Sequence, residues 1–156
     1  KDTILCFGGT TFTKDDPVPV YLNDLRSLDT ETMSWTKPCV SNDAPSPRYL
    51  AASAQIDEPN KAVVLFGGWG NGGTQNARGG ALHVLQQQQQ HDATSTESRR
   101  ATSMTWSRPA LPKIFAAAHK YGHTMTAIGD SLYIFGGWNG KQACNDLIEL
   151  TLYQQT

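Results

Sequence analysis

The chain has 156 residues, of which 38% are hydrophobic and 17% are charged, and its formal net charge at pH 7 is −1. It lacks the excess of basic residues that favours binding to nucleic acid or to an anionic membrane. No apolar run approaches the ~20 residues of a membrane-spanning helix. We therefore expect a globular protein that binds neither nucleic acid nor membranes.

Short strand-like words recur along the chain. An apolar run that ends in two glycines occurs three times, and a second word ending in leucine follows each of these runs downstream. A word with a central tryptophan follows the first two copies, and a basic residue followed by tyrosine precedes the second and third glycine pairs. These words are, in order, ILCFGG (4–9), VVLFGG (63–68) and LYIFGG (132–137); NDLRSL (23–28), GALHVL (80–85) and NDLIEL (145–150); MSWTKP (33–38) and MTWSRP (104–109); and Arg48-Tyr49 and Lys120-Tyr121. Each repeat therefore predicts four short strands with no helical period between them.

One of these words has a second interpretation. Residues 68–73 spell G-x-G-x-x-G, the pattern of a dinucleotide-binding loop. Such a loop needs a helix behind it, because the pyrophosphate binds to free N–H groups at the helix N-terminus. The polar and glycine-rich residues 74–80 predict a continuing loop, and the acidic residue expected about 20 positions on is replaced by a glutamine run. We therefore expect no nucleotide cofactor.

The repeated words resemble those of the kelch-repeat β-propellers, and the resemblance covers nearly the whole chain. It implies an all-β fold, with kelch-type blades of four antiparallel strands in an incomplete ring. We expect a partial blade with strands two to four in residues 1–38, a complete blade in 48–109, and a partial blade with strands one to three in 120–153. A low-complexity, glutamine-rich stretch at 86–103 is expected to be a disordered insert in the complete blade.

Two and a half blades cannot form a ring, because propellers close with 4–8 blades. We therefore expect the remaining blades to come from the same longer chain or from another segment. The first residue is a lysine, which also suggests a fragment.

Several conspicuous side chains have structural explanations. Trp35 and Trp106 are expected in the core, on the outermost strands, and Asp24 and Asp146 are expected to accept backbone N–H bonds. His119 and His123 are four residues apart, but on a strand this spacing separates them by about 13 Å, so no metal site is predicted. The resemblance implies that His123 is buried and bonded to the backbone.

Function is expected in the loops, because the strands of a propeller are committed to packing. The resemblance places the loops between strands two and three on one face, together with the loops that connect blades. Trp69 and Trp138 follow their glycine pairs, and they either project as anchors for a partner or pack on neighbouring blades. The candidate partner-binding residues are Lys14, Asp15, Asp16, Trp69, Asn71, Arg78, Lys113, Phe115, Trp138, Asn139 and Lys141.

The favoured function is a non-catalytic protein–protein interaction module, a scaffold or adaptor that binds a protein or peptide and needs no cofactor. One alternative is a structural subunit of a large assembly. Another is part of an enzyme whose catalytic groups lie outside this segment. In the kelch-like galactose oxidase, tyrosines, histidines and a Cys–Tyr crosslink hold copper, but that set does not map onto this sequence.

The expected location is intracellular, most consistent with the cytoplasm. The three cysteines are an odd number and do not recur at equivalent repeat positions, so a disulfide framework is not predicted. The sequence also contains no Asn-x-Ser/Thr glycosylation site and no signal-peptide pattern at its first residues.

Overall fold

The computed structural model describes residues 2–15, 17–41, 44–57, 61–70, 82–88, 103–111 and 119–151. Within these ranges the regular elements are eleven β-strands, and no helix occurs among them. The strands form three separate sheets that do not close into a ring. The expectation of an all-β fold with an incomplete ring is confirmed.

The first sheet contains three antiparallel strands in the order β1–β2–β3. These strands are β1 (Thr3–Thr11), β2 (Val20–Asp29) and β3 (Ser34–Thr36). The register between β1 and β2 shifts between Phe7 and Gly9, at the first glycine pair. This irregularity is where the strand leaves the regular pleat, as expected for a glycine-containing bulge.

The second sheet contains a four-stranded antiparallel meander, which is the arrangement of a kelch-type blade. Its strands are β5 (Ala52–Ile56), β6 (Ala62–Phe66), β7 (Leu82–Gln88) and β8 (Ser103–Ser107). A fifth strand, β4 (Cys39–Ser41), pairs in parallel with the outer edge of β8. The sequence words did not predict β4, which connects the first sheet to the second.

The third sheet is again antiparallel and has β10 at its centre. Its strands are β9 (Thr124–Ile128), β10 (Ser131–Phe135) and β11 (Leu147–Thr151). β10 pairs with both neighbours over its full length. The first and third sheets therefore flank the complete blade on its two sides.

The side-chain alternation of the strands explains how the sheets stack. Successive side chains of a strand point to opposite faces. On β6, Val63 and Leu65 belong to the cluster shared with the first sheet, whereas Val64 and Phe66 belong to the cluster shared with the third sheet. Since both faces of β6 are buried, the run is apolar throughout instead of alternating with polar residues.

Two apolar clusters hold the sheets together. The cluster between the first and second sheets is built around Leu25, Leu65, Leu85 and Trp106. The cluster between the second and third sheets has six fully or nearly fully buried members: Val64, Phe66, Leu82, Leu132, Ile134 and Leu150. Both clusters combine strand two and strand three positions of the repeats, as the recurring apolar words predict.

The glycine pair at the end of β6 has a steric reason. Gly67 and Gly68 have φ values of 69° and 101°, which are in the left-handed region. A Cβ atom on Gly67 would overlap the carbonyl oxygen of Lys120 and the imidazole of His123, both on the neighbouring unit. Glycine is therefore required both for the turn and for the close approach of the third unit.

Two sequence expectations are corrected. The insert predicted at 86–103 is too wide, because β7 continues through Gln88 and β8 begins at Ser103, with Gln88 paired to Ser103. Backbone pairing with β8 outweighs the weak strand preference of glutamine. The rest of the predicted insert, residues 89–102, lies outside the described residues.

The second correction concerns the tryptophans. Trp106 is 3% exposed and confirmed as core, but Trp35 is 56% exposed, so its prediction is wrong. Trp106 packs against Phe7 of the preceding unit, with ring centroids 5.3 Å apart and an interplanar angle of 67°. Trp35 lies on the first unit, which has no preceding sheet among the described residues to supply such a contact.

Candidate interaction face

Tyrosine–tryptophan bridges fix the start of two loops. The backbone N–H of Tyr49 donates to Trp69 O at 2.8 Å, and the N–H of Trp69 donates back to Tyr49 O at 2.8 Å. Tyr121 and Trp138 form the same reciprocal pair at 3.1 and 2.9 Å. The loop after each glycine pair is therefore tied at its base to the strand-one element of its own unit.

The two tryptophan side chains have different surroundings. The Trp69 ring packs edge-on against Tyr121 of the next unit, with centroids 5.0 Å apart. The Trp138 side chain is 40% exposed. For Trp69 the geometry favours the packing alternative, whereas the Trp138 side chain remains exposed.

A rigid turn follows Trp138. The side-chain oxygen of Asn139 accepts the backbone N–H groups of Lys141 and Gln142, both at 2.9 Å. The backbone N–H of Cys144 donates to Gly137 O at 2.8 Å and closes the loop. Hydrogen bonds from asparagine to the backbone fix such turns, so Trp138 and Lys141 are presented from an ordered loop.

The other predicted contact residues are only partly placed. Lys14 and Asp15 are exposed in the connection between β1 and β2, and Asn139 and Lys141 are exposed in the turn after β10. Five predicted positions lie outside the described residues: Asp16, Asn71, Arg78, Lys113 and Phe115. The structure thus brings Trp138, Asn139 and Lys141 together, with Trp69 adjoining them through Tyr121.

Two buried cations at the strand-one positions were missed by the sequence reasoning. Lys120 is buried, and its Nζ donates to Oδ1 of Asp146 at 2.5 Å. This hydrogen bond lowers the pKa of Asp146. The repeated basic residue before tyrosine, together with the aspartate of the NDL word, was the available signal. The analogous Asp24 in the first unit bonds to Arg26 at 2.7 Å instead.

Arg48 occupies the same position as Lys120 but has neutral acceptors. Its Nη1 donates to Gly67 O at 2.8 Å, and its Nε and Nη2 donate to Ser46 O and Ser46 Oγ at 3.0 and 2.9 Å. Burial, and to a smaller extent the charge of Arg108, lowers the pKa of Arg48 to about 10. The position of Asp146 is occupied by Ala81 in this unit.

His123 forms part of the junction between the second and third sheets. It is 7% exposed, and its ring packs edge-on against Phe66 with centroids 5.4 Å apart. Its burial is confirmed; neither ring nitrogen makes a hydrogen bond of standard geometry within the described residues, although the backbone of Phe66 lies close enough to the ring to act on its pKa. Burial first, then the charge of Lys120, lowers the pKa of His123 to about 4, and the nearby Phe66 backbone opposes part of that shift.

A cavity of about 150 Å³ lies between the first and second sheets. Apolar side chains line much of it, including Phe7, Leu65 and Trp106, together with the smaller Ala51. Ala51 stands at the position that His123 has in the third unit, where the imidazole fills the corresponding space against Phe66. The smaller side chain therefore explains part of this volume.

Metal-binding clusters and membrane-spanning helices are absent from the described residues. Among them, no group of three or more His, Cys, Asp and Glu side chains is placed to hold a metal ion. In the same part of the chain, no helix is long and apolar enough to cross a membrane.

Named relatives match most of this chain. It is 32% identical over 147 residues to the Rab9 effector protein with kelch motifs of Homo sapiens, covering 94% of this chain and 33% of that protein. It is 31% identical over 148 residues to host cell factor of Drosophila melanogaster, covering 88% of this chain and 8% of that protein.

A plant protein is similar to the same extent. Acyl-CoA-binding domain-containing protein 4 of Arabidopsis thaliana is 31% identical over 150 residues, covering 96% of this chain and 19% of that protein. The chain thus spans a third or less of the length of these three relatives.

The family model described as the KLHDC2/KLHL20/DRC7 Kelch-repeats domain matches residues 1–156. This match agrees with the glycine-paired strands, the four-stranded meander and the stacking of successive sheets. The chain belongs to the kelch-repeat family.

Proposed function

We propose that this chain is a non-catalytic protein–protein interaction module of the scaffold or adaptor class. The observation that carries the proposal is the ordered turn after β10, which exposes Trp138 beside Lys141. Tryptophan is enriched among the residues that dominate binding energy at protein interfaces. The strands themselves are committed to packing between sheets, which leaves the loops for recognition.

The binding face comprises the loops that follow the glycine pairs and the loops that connect the units. Its ligand is a protein or a peptide, and no nucleic acid, membrane or cofactor takes part. The relative named as a Rab9 effector with kelch motifs supports this class of function, because effectors act through contact with other proteins. The location is intracellular.

The chain comprises a partial blade at 1–38, a complete blade at 48–109 and a partial blade at 120–153. Further blades complete the ring, because the outward faces of the first and third sheets expose large apolar side chains. Trp35 and Phe135 are the largest of these. The greater length of the relatives supports this arrangement.

The test is affinity recovery of partners with quantitative mass spectrometry. Replacing Trp138 with alanine should reduce recovery of a specific partner at least about tenfold, and adding Trp69→Ala should remove the remainder, since interface anchors contribute about 2 kcal/mol or more. Met33→Ala is the matched control. Met33 is an exposed apolar side chain in the β2–β3 turn, at the end of β2 away from the loop face.

Recovery that is unchanged in the Trp69→Ala/Trp138→Ala protein would remove this face as the binding site. Circular dichroism should accompany the double variant, because Trp69 also packs on Tyr121. The single Trp138→Ala variant avoids that difficulty, since its side chain is exposed.

A further inference from the structure

The second unit lacks two groups that the third unit has at the same repeat positions. In the third unit His123 packs its ring against Phe66, and Asp146 pairs with a buried cation. In the second unit these two positions are taken by Ala51 and Ala81. The second unit therefore has neither the aromatic ring nor the carboxylate at these places.

The cavity between the first and second sheets lies where that ring would be. Ala51 and Phe7 both line it, and they are the repeat counterparts of His123 and Phe66. Its volume of about 150 Å³ is close to that of an engineered apolar cavity that binds benzene. The cavity therefore has room for one small aromatic ring.

The backbone around Ala51 has the geometry that holds a ring in the third unit. A Cβ on Gly68 would lie 3.0 Å from the Cβ of Ala51. At the same repeat position, a Cβ on Gly137 would lie 2.8 Å from the Cβ of His123. The two strand-one segments thus lie in the same way against the glycine pairs of their own units. An imidazole introduced at position 51 should therefore occupy the cavity.

A buried cation lines the same cavity. Arg48 is 4% exposed, and its hydrogen bonds within the described residues go to neutral oxygens of Ser46 and Gly67. Three of the five N–H groups of a guanidinium are used in these bonds, which leaves two in this part of the chain. Arg108 adds a second positive charge that acts on Arg48. Since a buried charge is stabilised by an opposite charge, the cavity favours an anion.

We propose that this cavity binds a small aromatic carboxylate of about the size of benzoate. The ring of the ligand packs beside Phe7 and Ala51, and its carboxylate pairs with Arg48. The ligand thereby supplies the ring and the carboxylate that the second unit lacks. It enters beside Leu50 and Ser53, which line the cavity and are exposed. The site lies between two sheets and is independent of the loop face.

Isothermal titration of benzoate into the full chain at pH 7.5 tests the proposal, with benzamide as the matched neutral probe. Benzoate should bind saturably, and benzamide should bind about tenfold more weakly or worse, because hydrogen bonds to a charged acceptor are roughly twice as strong as neutral ones. Methyl resonances of Leu25, Leu65 and Leu85 should shift with benzoate, because these side chains line the cavity. Those of Leu132, in the other apolar cluster, should not.

A filling variant tests the location of the site. Ala51→His gives the second unit the ring of the third and should weaken benzoate binding about tenfold or more, because the imidazole and the ligand ring compete for one space. Thr126→His is the control, since it adds the same side chain at an exposed position of β9, and it should leave binding unchanged. Circular dichroism verifies the fold of both variants.

A further variant tests the role of the cation. Arg48→Met should abolish the preference for benzoate over benzamide. The comparison of the two probes on the unaltered chain tests the same point if loss of this buried side chain prevents folding.

The absence of saturable benzoate binding would overturn the proposal and show that the cavity is a packing defect. Equal affinities for benzoate and benzamide would overturn the pairing with Arg48, and unchanged binding in Ala51→His would overturn the location. Partner recovery through Trp138 is measured separately, so failure of this site is distinguishable from failure of the proposed interaction function.

Discussion

The buried histidine at the junction of the second and third sheets makes stability depend on pH. The folded protein keeps His123 neutral down to a pKa of about 4, whereas the ordinary value is 6.5. Between these values the unfolded chain binds more protons than the folded one, so the free energy of unfolding rises with pH. The stability contributed by neutral His123 is therefore present at neutral pH and is lost as the pH falls from about 7 towards 4.

The size of the effect follows from the two pKa values. Between pH 7.5 and pH 5 the linkage relation gives a loss of up to about 2 kcal/mol, an approximately 30-fold change in the unfolding equilibrium. Asp24 and Asp146 have pKa values below the ordinary 3.8, so their stabilising contributions are lost at lower pH than this window. The change in stability between pH 7.5 and pH 5 therefore reports the protonation of His123 and not that of Asp24 or Asp146.

Urea unfolding at pH 7.5 and pH 5 measures the effect. The difference in unfolding free energy between the two pH values should shrink by about 2 kcal/mol in His123→Gln, which cannot be protonated in this range. Ile134→Val is the control, because it lowers stability by about 1 kcal/mol in the same apolar cluster without changing a titrating group. It should lower stability equally at both pH values.

An unchanged pH difference in His123→Gln would refute the reasoning. A histidine proton resonance that titrates for His123 near its ordinary pKa of 6.5 would do the same. Either result would mean that the imidazole is hydrated or paired in the folded protein.

Two further predictions concern the same junction. Asp146→Asn should lower the free energy of unfolding in urea by about 2 kcal/mol more than Lys120→Met does. The first change leaves a buried ammonium without a carboxylate partner, whereas the second leaves a half-exposed carboxylate in water. Equal losses of stability in the two variants would contradict this. Gly67→Ala should destabilise by about 3 kcal/mol or more, since a Cβ there overlaps Lys120 and His123. Gly122 has a similar φ of 62° but no atom near its would-be Cβ, so Gly122→Ala should lower the free energy of unfolding by only about 1 kcal/mol. Comparable losses of stability in the two variants would show that the structure relieves the overlap at Gly67.

The repeated sequence words predicted the fold because the residues of each word can be accommodated only in a particular local structure. Apolar runs such as residues 63–66 must be buried on both sides, and the glycines after them permit the positive φ values found at Gly67 and Gly68. These requirements are local, so they are visible in the sequence. They recur in the same order along the chain, which indicates stacked units.

What the sequence did not predict depends on partners far along the chain. The strand β4 is three residues long and follows a proline, and its neighbour β8 begins more than sixty positions later, as the contact between Ser41 and Thr105 shows. Trp35 and Trp106 sit in nearly identical words, yet only Trp106 has a sheet beside it to bury it. The ion pair of Lys120 and Asp146 could not be predicted, because it depends on how the segments before β9 and β11 align across β10.

The parallel strand β4 also bears on self-association through glutamine. Gln86, Gln87 and Gln88 lie in β7 and pair with Thr105, Met104 and Ser103 of β8. Glutamine-rich strands assemble into cross-β fibrils when a free edge can template them.

The other edge of those same β8 residues is occupied by Cys39, Val40 and Ser41 of β4. β4 therefore prevents an incoming strand from pairing with β8, which is the neighbour of the glutamine-containing strand β7. Loss of the β4 pairing would leave that edge of β8 open to an incoming strand.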